Sequence, residues 1–83
     1  MLIKYFASIR ERVGREEERI EIPASVTTIA ELLDDLAGRD ETYAFAFGDR
    51  ETLRAALDQM HVELDTPLAG ASELALFPPM TGG

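Results

Sequence analysis

The sequence predicts an α+β domain in which one amphipathic helix packs across a mixed sheet of four or five strands. Three observations predict it. Ile29, Leu32, Leu33 and Leu36 recur at the i, i+3, i+4, i+7 spacing of a single helix face. Short segments of strand-forming residues lie on both sides of that stripe, two before it and two or three after it. Turn chemistry separates them, and the order strand, strand, helix, strands leaves the helix as the one strong cover for a sheet.

Taken in order, Leu2 to Ala7 is a short apolar run rich in strand formers. Glu18-Arg19-Ile20-Glu21-Ile22 alternates polar with apolar until Pro23 stops it, so these two segments predict an antiparallel strand pair. Between them Gly14 is a turn residue, with one helical turn over Ser8 to Val13. Thr28 followed by Glu31 is a capping box opening a helix of about three turns, and Gly38 offers a left-handed stop. Tyr43 to Phe47 is short and alanine-rich, and reads equally as a helical turn or an extended strip. Leu53 to Leu57 and His61 to Leu64 resemble strands, despite the weak strand formers Ala55 and Ala56. Asp65-Thr66-Pro67 and Gly70-Ala71-Ser72 are turns. Glu73 to Phe77 is a last strand with Leu74 and Leu76 on one face.

Composition narrows the function classes. Eighty-three residues make one domain, which at this size buries only roughly 60% of the surface its unfolded chain exposes. No window approaches the roughly 20 apolar residues of a membrane span, and the N-terminal apolar run is too short for a secretory signal. A cytoplasmic location without membrane partners follows by default. The chain has no cysteine, which excludes disulfides, thiolate metal sites, a cysteine nucleophile and a persulfide carried on a side chain. The formal net charge of −8 repels phosphate backbones and disfavours nucleic acid as a partner. A basic protein surface suits it better, although the acid excess on its own reads most simply as a solubility device.

The last seven residues, FPPMTGG, carry the chemistry. Pro78 and Pro79 fix φ and lack a backbone donor, and Pro78 pushes Phe77 towards extended backbone, so the chain must leave the sheet there. The predicted division is a folded domain over 1–77 and a projecting tail over 78–83. Met80 and Thr81 lengthen the arm, and Gly82 and Gly83 end it with no side chains, thin enough for a narrow channel. The tip is an α-carboxylate, anionic and a poor electrophile until an enzyme converts it to a mixed anhydride with a nucleotide.

Together ELALFPPMTGG, LDQMHVELDTPLAGASEL before it, the capped helix TTIAELLDDLAG and the strand leading into ASIRERVG resemble the small subunit of molybdopterin synthase over nearly the whole length. The segment from Asp40 to Thr52 adds little to the likeness. The resemblance implies a ubiquitin-like sulfur carrier with a β-grasp fold. It implies that an adenylating enzyme of the ubiquitin-activating type attaches AMP, transiently, to the Gly83 carboxylate, and that a sulfur donor protein then yields a C-terminal thiocarboxylate. The large subunit would hold the active site, where this sulfur attacks cyclic pyranopterin monophosphate, two rounds building the dithiolene that later binds molybdenum. Gly82 would let the tail thread, Phe77, Pro78 and Pro79 would set its exit and touch the partner, and two large and two small subunits would form a heterotetramer. Met80 stands where the family commonly has a small branched residue such as Val. Asp58 stands where it commonly has Asn, which puts any amide-specific hydrogen bond there in question.

The remaining residues attract plainer readings. His61, the sole imidazole, has no second ligand or base nearby in sequence and receives no role. Glu16-Glu17-Glu18 reads as a solvated hairpin edge, with Arg10, Arg12 and Arg15 balancing its charge. No metal cluster, phosphate loop or nucleophile-base pair is visible, so no catalytic site is expected within the chain and no permanently bound cofactor. Two rival functions share the Gly-Gly end: the sulfur carrier of thiazole synthesis in the thiamine route, and a protein modifier whose Gly83 joins lysines by isopeptide bonds. A plain binding module with an inert tail is the third.

Overall fold

A computed structural model of the chain describes residues 1–79. Five strands and three helices follow one another as β1 (Leu2–Tyr5), α1 (Ala7–Val13), β2 (Glu17–Arg19), α2 (Ile29–Arg39), α3 (Glu41–Ala46), β3 (Arg54–Leu57), β4 (Met60–Val62) and β5 (Glu73–Phe77). They form one mixed sheet in the order β2-β1-β5-β3-β4. The first and last strands run parallel at its centre, and the other pairings are antiparallel.

The predicted helix is α2, and its start is built as the sequence indicates. The Thr28 hydroxyl accepts from the Glu31 N–H at 3.2 Å, and the Glu31 carboxylate accepts from the Thr28 N–H at 3.0 Å. The Thr27 hydroxyl and N–H also donate to that carboxylate, and these bonds hold its pKa below the ordinary value. The next orphan donors of the first turn find carbonyls on the chain after β4, Ile29 N–H to Thr66 and Ala30 N–H to Leu64. Leu32, Leu33 and Leu36 then join Ile3, Tyr5, Leu74 and Leu76 in one buried cluster, so the apolar stripe lies against the inner face of the sheet.

Several boundaries differ from the expectation, each for a local reason. Gly38 does not stop α2, which runs on to Arg39. Asp40 ends it in extended backbone, because its carboxylate already caps the next helix, accepting from the Thr42 N–H at 2.8 Å. Tyr43 to Phe47 is therefore helical, forming α3 and its cap. The predicted turn at Ser8 to Val13 is a full short helix, closed by Gly14 at φ 88 with its N–H on the Arg10 carbonyl. Strand β4 begins at Met60, one residue early, since Asp58 and Gln59 both take positive φ (47 and 72) and form a two-residue turn that sets Leu57 opposite Met60.

Glu18 departs most from its reading. Far from a solvated edge, its side chain is only 13% exposed. Its Oε2 accepts from the Tyr5 hydroxyl at 2.8 Å and from the Tyr43 hydroxyl at 2.6 Å, while Arg15 pairs with Oε1 at 3.1 Å. One carboxylate thus joins β1, β2 and α3. Burial, then the bond to Glu18 and its charge, pushes the Tyr43 pKa up to about 12, and the same causes raise that of Tyr5 further.

Candidate functional site

Strand β5 leads to the tail, and it is the strand held on both sides. Leu76 lies beside Tyr5 of β1 and Ala55 of β3, while Phe77 lies opposite Arg54. The Phe6 N–H donates to the Leu76 carbonyl at 3.0 Å. Strand β5 ends at Phe77, and neither Pro78 nor Pro79 has an N–H with which to extend the ladder. Leu74 and Leu76 are 0% exposed, so alternation turns Phe77 to the outer face, away from the helices. Met80, Thr81, Gly82 and Gly83, predicted to form the rest of the site, lie outside the described residues.

The outer face around this strand end is apolar at its centre. Tyr5 points inward at 1% exposure, so Phe6, next in extended backbone, faces outward and is 45% exposed. Ala7 turns the chain into α1 directly afterwards at φ 51, a left-handed angle that costs an L-residue roughly 1–2 kcal/mol. Ala56 and Ala75 pair across β3 and β5, and His61 pairs with Ala56 from β4. The His61 and Phe77 rings meet edge to face, centroids 5.2 Å apart. Charged groups frame this centre: Lys4 pairs with Glu73 at 3.2 Å, and the Arg54 guanidinium donates to the carbonyls of Glu51 and Leu53 at 2.7 and 3.2 Å.

Of the predicted site residues, the structure therefore places Phe77, Pro78 and Pro79 at the sheet's end. Phe6 and His61 belong to the same surface, and sequence reasoning missed both. Alternation from Ile3 through Tyr5 was a signal for Phe6. For His61 there was none, since only strand register brings it to Phe77, sixteen residues on in the chain. The Asp58 substitution is resolved as well. Its Oδ1 accepts from the N–H groups of Ser72 and Glu73, both at 3.0 Å. These bonds need an acceptor oxygen, which Asp and Asn share.

Among the described residues, no group of three or more His, Asp or Glu is placed to hold a metal, and no helix is long and apolar enough to cross a membrane.

A small mixed sheet with a helix across one face and the first and last strands parallel at its centre defines the ubiquitin-like β-grasp class. Within that class, the chain belongs to the ThiS family, whose model matches residues 3–83. It is 37% identical over 81 residues to the molybdopterin synthase sulfur carrier subunit of Escherichia coli, covering 98% of this chain and 96% of that one. A protein of the same name from Mycosarcoma maydis is 31% identical over 85 residues, covering 98% and 90%. Among solved structures, small archaeal modifier protein 1 of Haloferax volcanii superposes with a TM-score of 0.74 at 28% identity, covering 96% of this chain and 97% of that one.

Proposed function

We propose that the chain is the sulfur-carrying small subunit of a molybdopterin synthase and that its working group is the main-chain carboxylate of Gly83. The observation that carries this reading is the end of β5: a strand paired on both sides that gives way at Pro78-Pro79 to a stretch ending in Gly-Gly. The near full-length likeness to the Escherichia coli sulfur carrier subunit supports it. So does the absence of cysteine, which leaves no side chain to hold transferable sulfur.

The chemistry follows from the poor electrophilicity of a carboxylate. In an adenylating enzyme of the ubiquitin-activating type, a Gly83 oxygen attacks the α-phosphorus of ATP and pyrophosphate leaves. A sulfur nucleophile at the sulfide level, delivered by a donor protein, then attacks the Gly83 carbonyl carbon and expels AMP, leaving a thiocarboxylate. The outer face bearing Phe6 and Phe77 docks on the large subunit, the tail enters that subunit's active site, and the sulfur attacks a carbon of cyclic pyranopterin monophosphate, from which an oxygen substituent leaves; water then cleaves the bond between that sulfur and the Gly83 carbonyl and restores the carboxylate. Gly82, Thr81 and Met80 supply reach, and Pro78 and Pro79 the direction.

The likeness to small archaeal modifier protein 1 favours a second reading, in which a lysine amine takes the place of sulfur and forms an isopeptide bond. Intact mass after co-expression with an adenylating enzyme separates the two. The expected product has one carboxylate oxygen replaced by sulfur; an unchanged mass under conditions that load a known carrier refutes the sulfur reading, and lysine conjugates support the modifier. Adding one residue after Gly83 is expected to leave folding intact and abolish molybdopterin formation, and retained activity removes Gly83 from the mechanism.

A further inference from the structure

His61 is the sole histidine of the chain. It stands on β4 across from Ala56, which stands across from Ala75 on β5. Cross-strand partners share a face, so two methyl-sized side chains form a shallow floor on the outer surface. Over that floor the imidazole reaches Phe77, with centroids 5.2 Å apart and planes at 62°, a favoured edge-to-face arrangement. The neighbouring cations are engaged elsewhere, Lys4 with Glu73 and Arg54 with backbone carbonyls. The exposed imidazole rests on Phe77, the last residue before the tail.

We infer, building on the docking role proposed for this face, that His61 is a positioning residue that braces Phe77 at the root of the tail and makes docking pH-dependent. An imidazole ordinarily changes charge between about pH 5 and 8. Burial under a partner penalises its charged form. Arg54, on the same face, and Arg50, in the groove beside it, oppose a further cation. Glu51, Glu63 and Asp65 line that groove too, so charges of both signs flank the imidazole. Neutral His61 is therefore the docking form, and affinity is complete at high pH and declines as pH falls through the imidazole range.

The test is calorimetric titration of the full chain, wild type and His61→Leu, with a molybdopterin synthase large subunit at about pH 7.5 and about pH 5.5. The partner's own titration is common to both proteins and cancels in their ratio. Wild-type affinity is expected to weaken about tenfold more than that of the variant over this range; equal weakening overturns the inference and leaves the proposed function standing. A failure of both proteins to bind at either pH overturns the docking role itself and this inference with it. Without a partner, the Phe77 ring protons followed by NMR are expected to shift along with the imidazole signals as pH is lowered, and a Phe77 ring indifferent to that titration refutes the bracing contact.

Discussion

Glu18→Leu tests whether one carboxylate joins three elements. The variant removes the acceptor for two tyrosine hydroxyls and the partner of one guanidinium. Tyr5 is 1% exposed, so its hydroxyl is left without a partner or access to water, which costs about 1–3 kcal/mol. Tyr43 is half-buried and turns its hydroxyl to solvent at a smaller cost. The exposed Arg15 contact adds about 0–1 kcal/mol, and burying the leucine offsets about 1 kcal/mol. The net expectation is a loss of about 2 kcal/mol, seen in urea unfolding and as a fall in Tm of about 10 °C. A double-mutant cycle localises it: Tyr43→Phe is expected to be destabilising in the wild type and close to neutral beside Glu18→Leu. A Glu18→Leu protein within about 0.5 kcal/mol of wild type, or additive cycles, refutes the network.

The same network has a pH signature. Because the folded-state pKa of Tyr43 lies above its ordinary value of 10.0, at about 12, the protonated hydroxyl stabilises the fold fully below pH 10, and that contribution is lost as pH rises through 12. Unfolding measured across this alkaline range is expected to show a steeper loss of stability in the wild type than in Tyr43→Phe, and parallel curves contradict the assignment. At the β3–β4 turn, Asp58→Ala releases the N–H groups of Ser72 and Glu73 and is expected to cost about 1–2 kcal/mol in urea unfolding. Asp58→Asn keeps the acceptor oxygen and is expected to stay within about 0.5 kcal/mol of wild type, and an equal loss in both variants refutes the acceptor argument.

What was legible in the sequence was whatever local chemistry decides. The capping box and leucine stripe of α2 are short-range patterns, and the structure realises both. The end of β5 was legible because two prolines cannot continue a ladder whatever surrounds them. What escaped was decided by partners distant in the chain. Glu18 looks like its two acidic neighbours until β1 and α3 bring two tyrosines to it. Tyr43 to Phe47 had no pattern strong enough to choose between helix and strip, and the Asp40 cap chose helix. The turn at Asp58-Gln59 lacks the glycine that usually marks positive φ. The Asp58 side chain holds it by accepting from the start of β5, fifteen residues on.

On the proposed sulfur-carrier function, a group loaded by one protein and unloaded in another must start from a fixed root, or each encounter orders the chain anew at an entropic cost of roughly 1–2 kcal/mol per residue. The sheet order supplies that root. An edge strand would carry the tail on one ladder, but β5 lies third of five, bound in parallel to β1 and antiparallel to β3. Leu74 and Leu76 are wholly buried beneath it, so freeing Phe77 means opening both ladders and the core together. Two of the polar devices that hold the sheet lie away from the centre of the outer face. Glu18 works at the β2 edge and Asp58 at the opposite end of β5 from the tail, which leaves Phe6, Phe77 and His61 free to meet a partner without being needed to hold the fold.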